Sequence, residues 1–236
     1  MQHFKHTNRR PWQLLTAVAL LAALGSAAAQ RAPSAEEAAA YVSLHAAAHK
    51  GDAAAIQRLA ASATGVDSRD GHGRTPIHVA TFARQRAAIR ALVQAGANIQ
   101  LLENDRYDAV TIAAVADDEE TLRLLMALGA SAKQITSRYD GTALIAAAHL
   151  GHDGVVRHLI AAGAPLDHVN NLHWTALIES IVLGDGGTRH QATLRALVAA
   201  GANLQLADRQ GATPLQLART RGYAAMVTLL EAAGAR

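Results

Sequence analysis

The chain has 236 residues, with 22 Lys and Arg against 19 Asp and Glu, 12 histidines and no cysteine. The missing thiols exclude a disulfide framework, a cysteine nucleophile and lipid attachment at sulfur. Three of the basic residues, Lys5, Arg9 and Arg10, fall in the first 29 residues, which carry no acid; the remainder holds 19 of each sign and has a formal net charge of zero. A neutral chain lacks the broad positive field that nucleic-acid binding needs.

Those first residues read as an export signal. A basic start is followed by the apolar run Leu14 to Leu24, 11 residues long. That is too short to span a bilayer. Ala27-Ala28-Ala29 supplies the small-residue cleavage pattern, which places the mature start at Gln30. Ordinary charge at the start of a leader accounts for the Arg9-Arg10 pair. Nothing later is long and apolar enough to be a membrane span. The expectation is a soluble exported protein, periplasmic in a Gram-negative host, with residues 30–37 as a short linker and helix cap.

From there the sequence repeats. Gly-Ala pairs at Gly96, Gly129, Gly163, Gly201 and Gly234 are spaced 33, 34, 38 and 33 apart. A second series, Val42, Thr75, Asp108, Thr142, Thr175 and Thr213, steps by 33, 33, 34, 33 and 38. Two series with one period mark a stacked solenoid, in which each unit is one supersecondary element. The units predicted are 38–69, 70–102, 103–136, 137–169, 170–207 and 208–236.

Each unit predicts a pair of helices. In the fourth, Thr142 caps a short helix over Ala143 to His149. Leu150-Gly151-His152 turns the chain, and Asp153 opens a second helix where its charge suits the dipole. Val155, Val156, Leu159 and Ile160 share one face of that helix. Gly163 ends it in a left-handed cap. Ile89 and Leu92, Leu122 and Leu125, Leu194 and Leu197, and Leu230 repeat the pattern relative to their own closing glycines. In the first unit, Ser34 to Glu37 forms a capping box before an alanine-rich stretch, which predicts a longer opening helix.

The segments TPIHVA (75–80), TPLQLA (213–218), GTALIAAAHLGH (141–152) and the closing Gly96-Ala97-Asn98 resemble the ankyrin-repeat family, over roughly residues 36–236. The resemblance implies an all-α ankyrin-repeat solenoid of about six helix–turn–helix units joined by β-hairpin fingers. It also implies that His45 and His78 bond the backbone, as does His152 in its Gly-His turn. The later units look like a group of exported bacterial ankyrin proteins. Departures are Asp108 and Thr111 where the family has Thr and His, and extra residues at Gly184–His190.

Several residues stand out as candidates for function. The end of each first helix is a position the family exposes to its concave groove. That register gives Phe82, Val115, His149 with Leu150, and Val182 with Leu183, an apolar stripe of the kind that marks binding sites. The finger tips carry Tyr107, Tyr139 and Trp174, alongside Arg74, Arg106, Arg138 and Arg209. Tyr, Trp and Arg dominate binding hot spots. The other reading is that Tyr107 and Trp174 pack finger against finger. Glu179 shares a helix face with Val182 and Leu183, one unit from His149, so the two could form an acid/base pair. The run Asp117–Glu120 suits a helix start. Gly184-Asp185-Gly186-Gly187 lacks the ending of a phosphate loop and reads as a lengthened turn. No compact set of metal ligands, nucleophile elbow or dinucleotide fingerprint appears.

The sequence therefore predicts an exported scaffold, not an enzyme. It binds a protein partner through Phe82, Tyr107, Val115, Tyr139, His149, Leu150, Trp174, Val182 and Leu183. No cofactor, metal, nucleic acid or membrane insertion is expected, and the state expected is a monomer. The alternative is a small-ligand or metal site around His149 and Glu179.

Overall fold

A computed structural model describes residues 30–62 and 65–236. The leader expected over 1–29 lies outside the described residues, as do residues 63–64 of the first unit. The described residues form thirteen α-helices and no strand. They are α1 (Ala35–Ala40), α2 (Ser43–Lys50), α3 (Ala53–Ser62), α4 (Pro76–Phe82), α5 (Arg86–Gln94), α6 (Ala109–Val115), α7 (Glu119–Ala127), α8 (Ala143–His149), α9 (Asp153–Ala161), α10 (Ala176–Val182), α11 (Thr188–Ala199), α12 (Pro214–Thr220) and α13 (Ala224–Ala232). The first helices α2, α4, α6, α8, α10 and α12 pack in one layer. The second helices α3, α5, α7, α9, α11 and α13 pack in another, and each pair closes on itself between the layers.

Local signals act where the sequence placed them. Thr142 Oγ1 accepts the Ile145 N–H at 3.3 Å and starts α8. Asp108 takes over the role of the usual threonine, accepting from Thr111 N–H at 2.7 Å. Within Asp117–Glu120, Asp118 caps α7 through Thr121 N–H. At Gly163, φ is +77°; its N–H reaches Ile160 O and the Ala164 N–H reaches Leu159 O, the paired bonds of a left-handed cap. Val155, Val156 and Leu159 are fully buried, as are Ile89, Leu92, Leu122, Leu125, Leu194, Leu197 and Leu230. One aliphatic core thus runs through the stack.

The opening helix departs from expectation. The capping box of Ser34 and Glu37 is present, but extended backbone at Tyr41 and Val42 divides the longer helix into α1 and α2. The break lets Tyr41 donate its hydroxyl to Asp70 at 2.7 Å. It also sets Glu37 beside Arg74 and His72 of the second unit's finger. Those two tertiary contacts outweigh the helix preference of an alanine-rich segment.

The fingers are shorter than hairpins with ladders. The second unit's finger closes with Asp70 N–H to Arg74 O at 3.0 Å and Gly73 N–H to Asp70 O at 2.9 Å. This is a three-residue loop with one left-handed residue. Arg106 and His173 take that left-handed place, at φ +66° and +64°, in the third and fifth units. The extra residue in the 34-residue step lies in the fourth finger, where Thr136 and Gly141 form an isolated antiparallel bridge. The extra residues of the 38-residue step lie in Gly184–Gly187 and a lengthened α11.

Leu159 is packed between units on both sides, whereas Leu230 has a neighbouring unit on one side. Leu159→Ala should cost about 2–5 kcal/mol of stability, and Leu230→Ala less, measured by urea unfolding. Equal losses would contradict the assigned ends of the stack.

Candidate functional site

The finger tips bind to each other. Asn104 N–H donates to His72 O at 3.0 Å, Ser137 N–H to Arg106 O at 2.8 Å, and Asn171 N–H to Tyr139 O at 2.9 Å. Each finger thus holds a carbonyl of the one before it. Arginines add to this ladder: Arg106 pairs with Asp140, Arg138 with Asp105, and Arg209 donates to Asn171 O. Arg74 is 1% exposed and clamped between Asp70 and Glu37. It belongs to the packed interior and not to an open tip.

Histidines pin the units together. His78 is buried; Thr75 N–H donates to its Nδ1, so its Nε2–H donates to Leu101 O at 3.0 Å, at the end of its own unit. Burial pushes its pKa down to about 4, which keeps this neutral tautomer through the physiological range. His45 donates to Arg74 O of the next unit, and His168 to Asp140 O within the fourth unit. Where Thr111 replaces the histidine, its hydroxyl meets that of Thr136 at 3.1 Å. His152 Nδ1–H donates to Ala114 O at 2.9 Å. Among the described residues, no group of three or more His, Asp or Glu side chains could hold a metal ion.

The nine expected binding residues separate by exposure. Tyr107 and Val182 are each 8% exposed and lie within the stack. Burial also raises the Tyr107 pKa. Tyr139 and Trp174 are half-buried. Phe82, Val115, His149 and Leu183 are half-buried at the ends of the first helices, and Leu150 is 39% exposed. The expected stripe therefore reaches the surface everywhere except at Val182. Ile135 and Val169, in the same register just before neighbouring fingers, are exposed as well.

Glu179 and His149 do come together. The Glu179 side chain is 7% exposed, and its Oε2 lies 3.6 Å from His149 Nδ1. Burial raises the Glu179 pKa to about 8 and lowers that of His149. Both are therefore neutral at pH 7, and the contact is not an ion pair despite its length. Glu179 Oε1 accepts from Asn170 Nδ2 at 2.8 Å. That bond turns the Asn170 amide so that Oδ1 receives the Leu172 and Trp174 N–H groups of the fifth finger. Asp70 and Asp208 hold their own fingers with carboxylates. An amide has only one accepting end, and Glu179 sets which way it faces. Asn170 was missed in the sequence, although it falls in the register of Asp70, Glu103 and Asp208.

The Gly184–Gly187 turn holds no open cradle. Asp185 accepts Gly187 N–H inside it, and Tyr223 donates its hydroxyl to Gly184 O at 2.8 Å. From the start of α11, Arg189 reaches Asp117 at 2.7 Å, and His190 faces His149 O and Asp185. The added residues brace three units.

Comparison with known proteins agrees with this geometry. The model for ankyrin repeats matches residues 39–103, 110–204 and 144–236. The chain belongs to the ankyrin-repeat family. Over 100 residues it is 42% identical to the ankyrin repeat protein YahD of Escherichia coli (strain K12), covering 42% of this chain. The chain spans about half the length of that curated relative, 50%. The crystal structure of an ankyrin repeat domain from Acinetobacter baumannii AYE is 44% identical, with a TM-score of 0.77 over 82% of this chain and 98% of that one. The ankyrin repeat domain of Bcl-3, a member of the IκB family, is 26% identical, with a TM-score of 0.75 over 84% and 88%. Ankyrin repeats are generally protein-interaction scaffolds, and proteins of this fold are typically non-enzymatic.

The raised Glu179 pKa makes stability depend on pH. Below the ordinary value of 4.5 the folded and unfolded chains both hold the proton, and between 4.5 and about 8 only the folded chain does. Stability attributable to this group therefore falls as pH rises through that window. Glu179→Gln, which has no such proton, should gain relative to the unmodified protein between about pH 5 and pH 8, by at most a few kcal/mol. Urea unfolding at the two pH values measures this. A difference that does not change with pH would contradict the raised pKa.

Proposed function

We propose that this chain is an exported, periplasmic scaffold that holds a protein partner against the ends of its first helices. Tyr139 and Trp174 border the contact. The observation that carries the reading is the contrast between the two expected surfaces. The finger arginines bond to neighbouring fingers and Tyr107 is buried. Phe82 and Val115 keep apolar surface in one register of successive units, and Leu150 and Leu183 in the position that follows it. Exposed apolar residues in such a row favour contact with a partner, and a preformed face reduces the ordering cost of binding. The mechanism is steric and adhesive. The protein acts as a monomer, without a cofactor, on a partner that is neither nucleic acid nor membrane. Export rests on the basic start, apolar run and alanine cleavage pattern of residues 1–29. Among the described residues, no helix is long and apolar enough to cross a membrane.

Crosslinking in the host compartment, followed by mass spectrometry, tests both parts. Leu150→Asp combined with Leu183→Asp should abolish recovery of the partner while helical content stays unchanged. Tyr139→Ala and Trp174→Ala should each weaken capture, by about 2 kcal/mol or more where the residue is a true hot spot. Undiminished recovery from the Leu150/Leu183 variant would sink the binding face. The protein recovered in the same experiment should begin near Gln30; an intact Met1 would sink the export reading.

A further inference from the structure

We infer that Glu179 is the receptor on this face for a cationic side chain, a lysine ammonium or an arginine guanidinium, carried by the partner polypeptide. The inference rests on the binding face proposed above and names what one point of it recognises.

Position is the first argument. The residues that correspond to Glu179 in the other units are Ala46, Val79, Ile112, Ala146 and Leu217. Every one is aliphatic, so packing alone gives no reason for a carboxyl here. Burying one is costly unless something compensates it. Ala146 and Leu217, its counterparts on either side, are half-buried. Val79 and Ile112 are fully buried, so the row reaches the solvent edge of the first-helix layer around Glu179 and not along its whole length.

The second argument is that the two carboxyl oxygens are used differently. Oε1 is committed to Asn170 and through it to the fifth finger. Among the described residues, Oε2 makes no hydrogen bond, and the basic group it meets is His149 Nδ1 at 3.6 Å. That imidazole is 42% exposed and is followed directly by the exposed Leu150. The unused oxygen thus borders the part of the site that a partner can reach.

Charge complementarity gives the third argument. Asp70, Asp117, Asp118 and Asp140 each have an arginine within 4 Å. Among the described residues, no Lys or Arg lies that close to Glu179. Its proton is retained to about pH 8 by burial, as expected of a carboxyl with no cation beside it. An entering ammonium or guanidinium displaces that proton and supplies the missing charge. The apolar stem of a long basic side chain suits Leu150 and Leu183, while its head reaches the carboxylate. One free carboxyl oxygen and one imidazole are too few donors for a metal site.

The test is a display library of random linear peptides panned against the full chain, against Glu179→Gln and against the Leu150→Asp/Leu183→Asp variant. Glutamine keeps an acceptor for Asn170, and thermal melts check that each variant is folded. The unmodified chain should enrich peptides with Lys or Arg among apolar residues. Synthetic copies of these should bind Glu179→Gln about tenfold or more weakly, and replacing their basic residue by norleucine should remove the difference. Equal binding to the chain and to Glu179→Gln, or enriched peptides with no excess of Lys or Arg, would overturn the inference. The binding face would survive that result if the Leu150/Leu183 variant still lost the peptides. Peptides indifferent to the Leu150/Leu183 variant would overturn the face itself. No enrichment beyond an unrelated protein would overturn both.

Discussion

Each helix pair of this chain has apolar side chains on a face that it cannot cover by itself, and the rest of the structure follows from covering that face with the next pair. Leu92, Leu125, Leu159 and Leu197 have no exposed surface, although each sits on a helix of 9 to 12 residues. Helices so short are marginal in isolation. Stacking also explains the polar architecture. A buried backbone group must be paired, and here the pairing partners come from the adjacent unit: His152 to Ala114 O, Asn104 N–H to His72 O, Ser137 N–H to Arg106 O. The same contacts that satisfy the polar groups fix the register between units.

Much of this was legible in the sequence because periodicity and cap chemistry are local signals. Thr142 and Gly163 fix where helices start and end by bonds within a few residues, and the closing leucines recur at a constant offset. Even the irregular steps in the spacing have physical counterparts, the four-residue loop between Thr136 and Gly141 and the brace at Gly184–His190. The division of α1 from α2 was not legible. It depends on Tyr41 meeting Asp70, 29 residues away. The exposure of Tyr107 was not legible either, since tyrosine suits a tip and a packed finger equally well. Asn170 carried a positional signal, but its significance appears only once Glu179 is seen to orient its amide.

For function, the decisive distinction is between residues that hold the stack together and residues that remain available. Arg106, Arg138 and Arg209 have the chemistry of hot-spot residues, yet their hydrogen bonds lie within the ladder of fingers. The first-helix ends are different. Phe82, Val115, Leu150 and Leu183 retain apolar surface that no neighbouring unit covers. Glu179 sits among them as the one acid in an aliphatic row. A rigid stack and an available face belong together in this account, because the bonds that tie down the fingers also keep that face preformed.

The central claim is that the fingers are structural members of the stack and not free recognition loops. Amide hydrogen exchange on the unliganded chain measures this directly. The account predicts that Asn104, Ser137 and Asn171 exchange slowly, with protection comparable to that of the helices α6, α8 and α10 that follow their fingers. Exchange of these three amides at the rate of an exposed loop, with the helices still protected, would contradict it.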